Sequence, residues 1–233
     1  MKQLVSIDGD FLRNVICEFR FDASVINAFI QGEIWTVLRE ESDLKMERPL
    51  QLPGVDVNGI IIETHNLNFK VKFADSSTVM GFDANRVWFS YMQVYPGWDT
   101  FKKNIEYVIT LLQIHLPFIR YSRIGLRYIN ELDTSILYSS ATSIVRLPGL
   151  ITLQGAKLSL TADTPESLSV INVEQKNGIS ILDIDVGSKL NNPINWAVDK
   201  TDLLERLHDI EKRLFQTFTP EDLIATRNPV YKG

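Results

Sequence analysis

Arg120-Tyr121-Ser122-Arg123-Ile124-Gly125-Leu126-Arg127-Tyr128-Ile129-Asn130 alternates between two kinds of surface. Ile124, Leu126 and Tyr128 fall on one face of an extended chain, while Arg123, Gly125 and Arg127 fall on the other. This predicts a strand from Arg120 to Leu132 in an antiparallel sheet whose apolar face lies against helices. Just before it, Phe101, Ile105, Val108, Ile109 and Leu112 make one stripe at helical spacing, with Asp99 as the expected N-cap and His115 near the end.

Working outward, Val15 to Phe21 alternates as a strand, and Ile26, Phe29, Ile30, Val37 and Leu38 place a helix from Ser24 to Glu40. Residues 42–57 carry charges, prolines and Gly54 and are expected to form a loop. Gly59 to Thr64, Asn68 to Phe73 and Arg86 to Gln93 are strand candidates, the first two joined by a turn at His65-Asn66-Leu67. Tyr95-Pro96-Gly97-Trp98 then breaks the chain before the helix. The second half follows the same order. Thr134 to Ser143 reads as a short helix or loop, and 150–160, 167–175 and 178–187 read as strands. Asn177-Gly178 is a strong hairpin signal. Leu203, Leu207, Ile210, Leu214 and Phe218 form the last stripe, in a helix capped by Asp199.

The first strands begin near residues 15 and 118, and the closing helices near 99 and 200, so both offsets are about one hundred residues. The expected fold is therefore α+β. Two fused strand–helix–three-strand–helix units, 1–116 and 117–233, form a pseudo-repeat in one compact domain, with an antiparallel sheet and helices packed on one face.

Composition narrows the function classes. The chain has 233 residues, 45% hydrophobic and 23% charged, as expected of a globular protein with its own core. Lys and Arg number 24 against 29 Asp and Glu, a net charge of −5, which disfavours general attraction to nucleic acid or anionic lipid. One cysteine, Cys17, excludes an internal disulfide and fits a reducing cytoplasm. Its place in an alternating strand points to packing rather than catalysis. No signal peptide or membrane-length apolar run is visible, so the expected location is cytoplasmic.

Catalytic signatures are missing. The chain carries no phosphate-binding loop, dinucleotide fingerprint or nucleophile elbow. His65, His115 and His208 have no metal-ligand spacing, and neither a catalytic residue, a metal nor a cofactor is expected. Asp183 and Asp185 share one strand face and could hold a cation, though acids on a strand face more often pair with bases across the sheet.

The richest candidate for binding is the strand first quoted. Gly125 between Arg123 and Arg127 leaves a gap where an anionic or planar group could sit between guanidinium forks. The alternative is neutralisation of both arginines by Asp183, Asp185 or Glu174. Trp88, in the aromatic stretch with Phe89, Tyr91, Tyr95 and Trp98, could stack a base or a partner's side chain. Such clusters also serve as core and turn packing. The candidate binding residues are Arg123, Arg127, Trp88, Tyr128 and Asn130.

An aromatic strand, then Tyr95-Pro96-Gly97-Trp98, a helix, and Arg123-Ile124-Gly125-Leu126-Arg127-Tyr128-Ile129-Asn130 together resemble a sporadically distributed prokaryotic family of unknown function. The early Glu18-Phe19-Arg20-Phe21 strand and the late helix after Asp199 are similar as well. The resemblance brings no activity, cofactor or catalytic residue. It implies genes that move between genomes, associated with mobile elements or defence.

The leading expectation is a non-enzymatic protein-binding or assembly module, forming a homodimer. One alternative is a nucleic-acid-binding protein that uses Trp88, Arg120, Arg123 and Arg127, by analogy with the fused halves of the TATA-binding protein. Another is a small-ligand sensor or enzyme with a pocket between sheet and helices, using Arg127 and Tyr128 or the Asp183–Asp185 pair.

Overall fold

The structure, a computed structural model, describes residues 3–6, 11–21, 28–40, 44–47, 69–73, 78–82, 85–91, 95–133, 155–199 and 202–232. In chain order the elements begin with β1 (Gln3–Ser6), β2 (Leu12–Phe21), α1 (Ala28–Glu40), β3 (Leu44–Glu47), β4 (Phe69–Phe73), β5 (Thr78–Phe82), β6 (Arg86–Tyr91) and α2 (Trp98–His115). They continue with β7 (Tyr121–Leu132), β8 (Gly155–Asp163), β9 (Ser167–Lys176), β10 (Ile179–Ser188), α3 (Trp196–Asp199), α4 (Leu203–Phe218), α5 (Glu221–Ala225) and β11 (Val230–Lys232). The fold is α+β with antiparallel sheet pairing.

The chain divides into two units, neither continuous in sequence. The first holds Met1–Val15, Gly125–Lys189 and Asp202–Gly233, and the second holds Ile16–Ile124 and Leu190–Thr201.

In the second unit the strands run in the order β3-β4-β5-β6-β2. Cys17 lies opposite Phe89 and Phe19 opposite Val87, all four fully buried. Phe19 is the hub of an aromatic cluster, with edge-on contacts to Phe89, Tyr121 and Trp196 at centroid distances of 6.2, 5.3 and 5.4 Å. The apolar stripe of α2 is buried as its spacing predicts, through Phe101, Ile105, Val108, Ile109 and Leu112. Truncating any one of these to alanine removes about 2–5 kcal/mol, comparable to a domain's whole margin of stability. Asn104 anchors the helix over β5 by donating to Thr78 Oγ1 at 3.0 Å. At its end, Gln113 donates weakly to the Leu116 and Ile119 carbonyls and accepts the Trp196 amide at 3.0 Å, which seats α3.

In the first unit the order is β7-β10-β9-β8. The core face alternates cleanly: Tyr128 pairs with Ile184 and Leu126 with Val186, while Ile171 and Val173 sit opposite Ile184 and Leu182. The β9–β10 hairpin turns at Asn177 and Gly178, with φ of 54° and 82°, the left-handed pair that the Asn-Gly sequence favours. Leu203, Leu204, Leu207 and Phe215 are the buried apolar face of α4. β1 pairs with β11, bringing Gln3 beside Lys232. β2 pairs antiparallel with β6, and β7 with β10.

Several sequence expectations need correction. The N-cap of α2 is Gly97, not Asp99, which lies in the first turn, where its charge favours the helix dipole. The cap of α4 is Asp202, and Asp199 instead ends the short α3. Residues 44–47, expected in a loop, form β3, and β5 is a further strand beyond those expected, so four strands lie between α1 and α2 among the described residues. The β5 sequence Thr78-Val79-Met80-Gly81-Phe82 is buried throughout, so it lacks the alternation that marks a half-exposed strand. The expected strand at 59–64, the turn at 65–67 and the segment 134–143 lie outside the described residues. Among the described residues, no helix is long and apolar enough to cross a membrane.

Candidate functional site

On the second unit, the face of β2 opposite the core carries Glu18 and Arg20. Across β6, Glu18 faces Trp88 and Arg20 faces Arg86. Glu18 accepts from Arg20 Nε at 2.5 Å, from Arg86 Nη1 at 2.7 Å and from Arg123 Nη1 at 3.3 Å. Three guanidinium groups thus gather on one carboxylate. Burial pushes the Glu18 pKa up, but the hydrogen bonds from Arg86 and Arg20 outweigh it and hold the carboxyl below its usual range. The carboxylate is 13% exposed while the Arg20 side chain is 51% exposed, so the charge centre is sheltered and its cations reach outward. Trp88 is half-buried on the same face, with Gly81 opposite it on β5.

On the first unit, Arg127 is held by a two-pronged clamp, Nε to Asp183 Oδ1 at 2.8 Å and Nη2 to Oδ2 at 2.7 Å. The directly opposite residue on β10 is Asp185, so the clamp is the diagonal cross-strand pair. Both Asp183 oxygens are committed to the guanidinium, which changes the chemistry of the Asp183–Asp185 pair from an open cation site to an ion-pair face.

Tyr128 and Asn130 lie on the opposite, inner face of β7 and are each 5% exposed. There the Tyr128 hydroxyl and His208 Nδ1 share a hydrogen bond at 3.2 Å, with the donor set by the imidazole tautomer. The Asn130 amide nitrogen has no hydrogen-bond partner among the described residues. Glu211, one turn beyond His208 on α4, is also buried, and no hydrogen bond or ion pair reaches its carboxyl among the described residues. His208 meets Tyr128, and Phe215 meets Phe11, whose carbonyl accepts the Glu131 amide. Burial pushes His208 down to about 3, with Lys212 adding to the effect and Glu205 opposing it. Burial pushes Glu211 up to about 8, partly offset by Lys212. Both groups are therefore neutral near pH 7. With every member at most 7% exposed, this cluster is an interior polar layer rather than an accessible acid–base pair.

The five sequence-predicted residues therefore fall into three places. Arg123 and Trp88 belong to the arginine face of the second unit, Arg127 to an ion-pair face of the first, and Tyr128 and Asn130 to its core. Sequence reasoning missed Glu18, Arg20 and Arg86. Alternation in Glu18-Phe19-Arg20-Phe21 places both charges on one face and was the available signal. His208 and Glu211, three residues apart, lie on the buried face of α4, which is rotated from the expected stripe: Leu203 and Leu207 are buried as expected, while Ile210, Leu214 and Phe218 are only half-buried and Leu204 and Phe215 take their place. Cys17 is fully buried, and burial, with Glu18 beside it, raises its thiol pKa far above the usual range. Among the described residues, no three His, Cys, Asp or Glu side chains gather as metal ligands. No protein-family model matches the chain, and no curated protein matches it.

Proposed function

We propose that the protein is a non-enzymatic protein-binding module whose second unit takes an acidic segment of a partner protein on the face of Arg20, Arg86, Trp88 and Arg123. The observation that supports this reading is the gathering of three arginines on one sheltered carboxylate. Arg20 engages Glu18 through Nε, and among the described residues its two Nη groups have no acceptor, so they suit a partner carboxylate. Trp88 offers a flat apolar contact beside the charges, the combination that concentrates binding energy at protein interfaces.

The test is anisotropy of a labelled peptide of alternating Glu and Tyr. Arg20→Glu and Trp88→Ala should each weaken binding at least about tenfold, a loss of about 1.4 kcal/mol. Arg213→Glu on α4 should leave it unchanged, and circular dichroism should show all three variants folded at the temperature of the binding assay. Equal binding by the parent and Arg20→Glu overturns the reading. A single-stranded oligonucleotide that binds more tightly, with affinity falling steeply with salt, would replace it with nucleic-acid binding.

A further inference from the structure

β8 is the outer strand of the first unit: β9 pairs with one of its edges, and no described strand pairs with the other. The hairpin joining β8 to β9 fixes which backbone groups that edge presents. The Thr164 amide donates to the Ser167 carbonyl at 2.9 Å. In a strand, the N–H and C=O of one residue point to the same side, and successive residues alternate. Leu158, Leu160 and Ala162 therefore direct their peptide groups toward β9. Lys157, Ser159, Thr161 and Asp163 direct theirs outward.

The side chains add a second asymmetry. Leu158, Leu160 and Ala162 lie opposite Val173, Ile171 and Ser169, on the core face. Ile171 and Val173 are 1% exposed, yet Leu160 is 40% exposed. The apolar layer thus runs out at β8 with a leucine still open to solvent.

An antiparallel strand that uses the outward peptide groups must pair odd-numbered residues of β8 with its own outward-facing residues. If that strand is β8 of a second copy, one such register places Leu160 against itself on the two-fold axis. Leu158 then faces Ala162, Ser159 faces Thr161, and Lys157 faces Asp163, with each hetero-pair occurring twice. Moving one step either way separates Lys157 from Asp163. Charge and backbone parity thus select the same register. Lys157 and Asp163 lie on the exposed face, beside Glu174 and Lys189 of their own chain.

We propose that the protein forms a two-fold dimer by antiparallel pairing of β8 with β8 of a second copy, with Lys157 opposite Asp163 and Leu160 on the axis. The pairing adds about eight main-chain hydrogen bonds and closes the apolar strip over Leu158, Leu160 and Ala162. It uses no residue of the arginine face and stands or falls independently of it. An edge lysine can also serve to repel a second strand, and charge reversal separates the two roles.

Leu160→Cys tests the axis. In the proposed register it forms a non-hydrogen-bonded pair with Cα atoms about 4.5 Å apart, within reach of a disulfide. The native Cys17 is fully buried and does not compete. Under mild oxidation this variant should run as a dimer on a non-reducing gel. Ile179→Cys, on a residue of similar exposure (42%), should stay monomeric. By sedimentation, Lys157→Asp and Asp163→Lys should each weaken self-association about tenfold, and the double variant should restore it. Three outcomes overturn the proposal: a monomer at every concentration, equal cross-linking at 160 and 179, or a dimer indifferent to the charge reversals. Arg20→Glu should not change the sedimentation.

Discussion

The Tyr128 hydroxyl meets His208 Nδ1 at 3.2 Å inside the first unit, with the two rings stacked at a centroid distance of 5.7 Å. Burial lowers the imidazole pKa and raises that of the Glu211 carboxyl, which is buried on the same helix. Two ionisable groups kept neutral by burial make stability depend on pH in opposite directions.

For His208 the folded pKa of about 3 lies below the unfolded 6.5. Between these values the unfolded chain binds the extra proton, so stability rises with pH. For Glu211 the folded pKa of about 8 lies above the unfolded 4.5, so the folded chain binds the extra proton and stability falls as pH rises through that window. Each slope approaches about 1.4 kcal/mol per pH unit. The expected profile is a plateau between 4.5 and 6.5, where the slopes oppose, with losses on both sides. Glu18, held below its usual range, steepens the acid side. Denaturant midpoints measured from pH 4 to 9 check this. Glu211→Gln should flatten the alkaline limb and raise stability at pH 8. An unchanged alkaline limb would show that Glu211 is ionised in the folded protein.

Tyr121 is packed between Phe19 and Phe21 at centroid distances of 5.3 and 5.5 Å, and its hydroxyl has no hydrogen-bond partner among the described residues. An unmet buried hydroxyl costs about 1–3 kcal/mol of desolvation. Tyr121→Phe should therefore keep the packing and raise the unfolding free energy by about 1 kcal/mol. Trp196→Ala, which empties the other side of Phe19, should lower it by about 3–5 kcal/mol. Urea unfolding followed by circular dichroism reads both.

Gly97 and Gly178 have φ of 85° and 82°, and a methyl group would meet no atom within 4 Å at either place. Any cost of adding one is therefore conformational. Gly97 combines its φ with ψ 159°, a region open to little but glycine, while its carbonyl accepts the Phe101 amide at 3.0 Å to start α2. Gly97→Ala should cost about 2 kcal/mol, and Gly178→Asn should be nearly neutral because asparagine tolerates left-handed turns. Equal melting temperatures for the two would refute the distinction.

Cys17 should be inert in the folded protein, since it is fully buried and its thiolate is strongly disfavoured. Reaction with a thiol reagent should proceed at the rate of opening and become fast only in denaturant. Rapid labelling of the native protein would contradict the burial.

The elements that the sequence made legible are those with one wet face. β7, β9, β10 and the stripe of α2 alternate between apolar and polar residues, and each formed close to its expected bounds, whereas α4 formed near its expected bounds but buries a face rotated from the expected stripe. β5 was hidden because it is buried on both faces, and β1 and β11 because their pairing joins the two ends of the chain. Helix starts slipped by a few residues because neither cap is marked by a side-chain hydrogen bond: α2 starts at Gly97 through its backbone, and Asp202 caps α4 without one. At the candidate site, alternation placed Arg123 and Arg127 on one strand face. Their carboxylate partners, Glu18 and Asp183, lie 105 and 56 residues away and no local pattern names them. Tyr128 shares the inner parity of Ile124 and Leu126, so its burial was already written in the alternation that drew attention to the strand.

The interleaving of the two units along the chain sets the order in which a ribosome can complete them. Residues 16–124 emerge first, yet the second unit still lacks Leu190–Thr201. Trp196, which meets Phe19 edge-on and docks on Gln113, arrives roughly 70 residues after Ile124, several seconds of synthesis at ~5–20 residues per second. Through that interval Phe19 and Gln113 wait without their partner, and the first unit cannot gain α4 until later still. During synthesis Phe19 can therefore pack on Phe89 and Tyr121 well before Trp196 arrives to cover its remaining side.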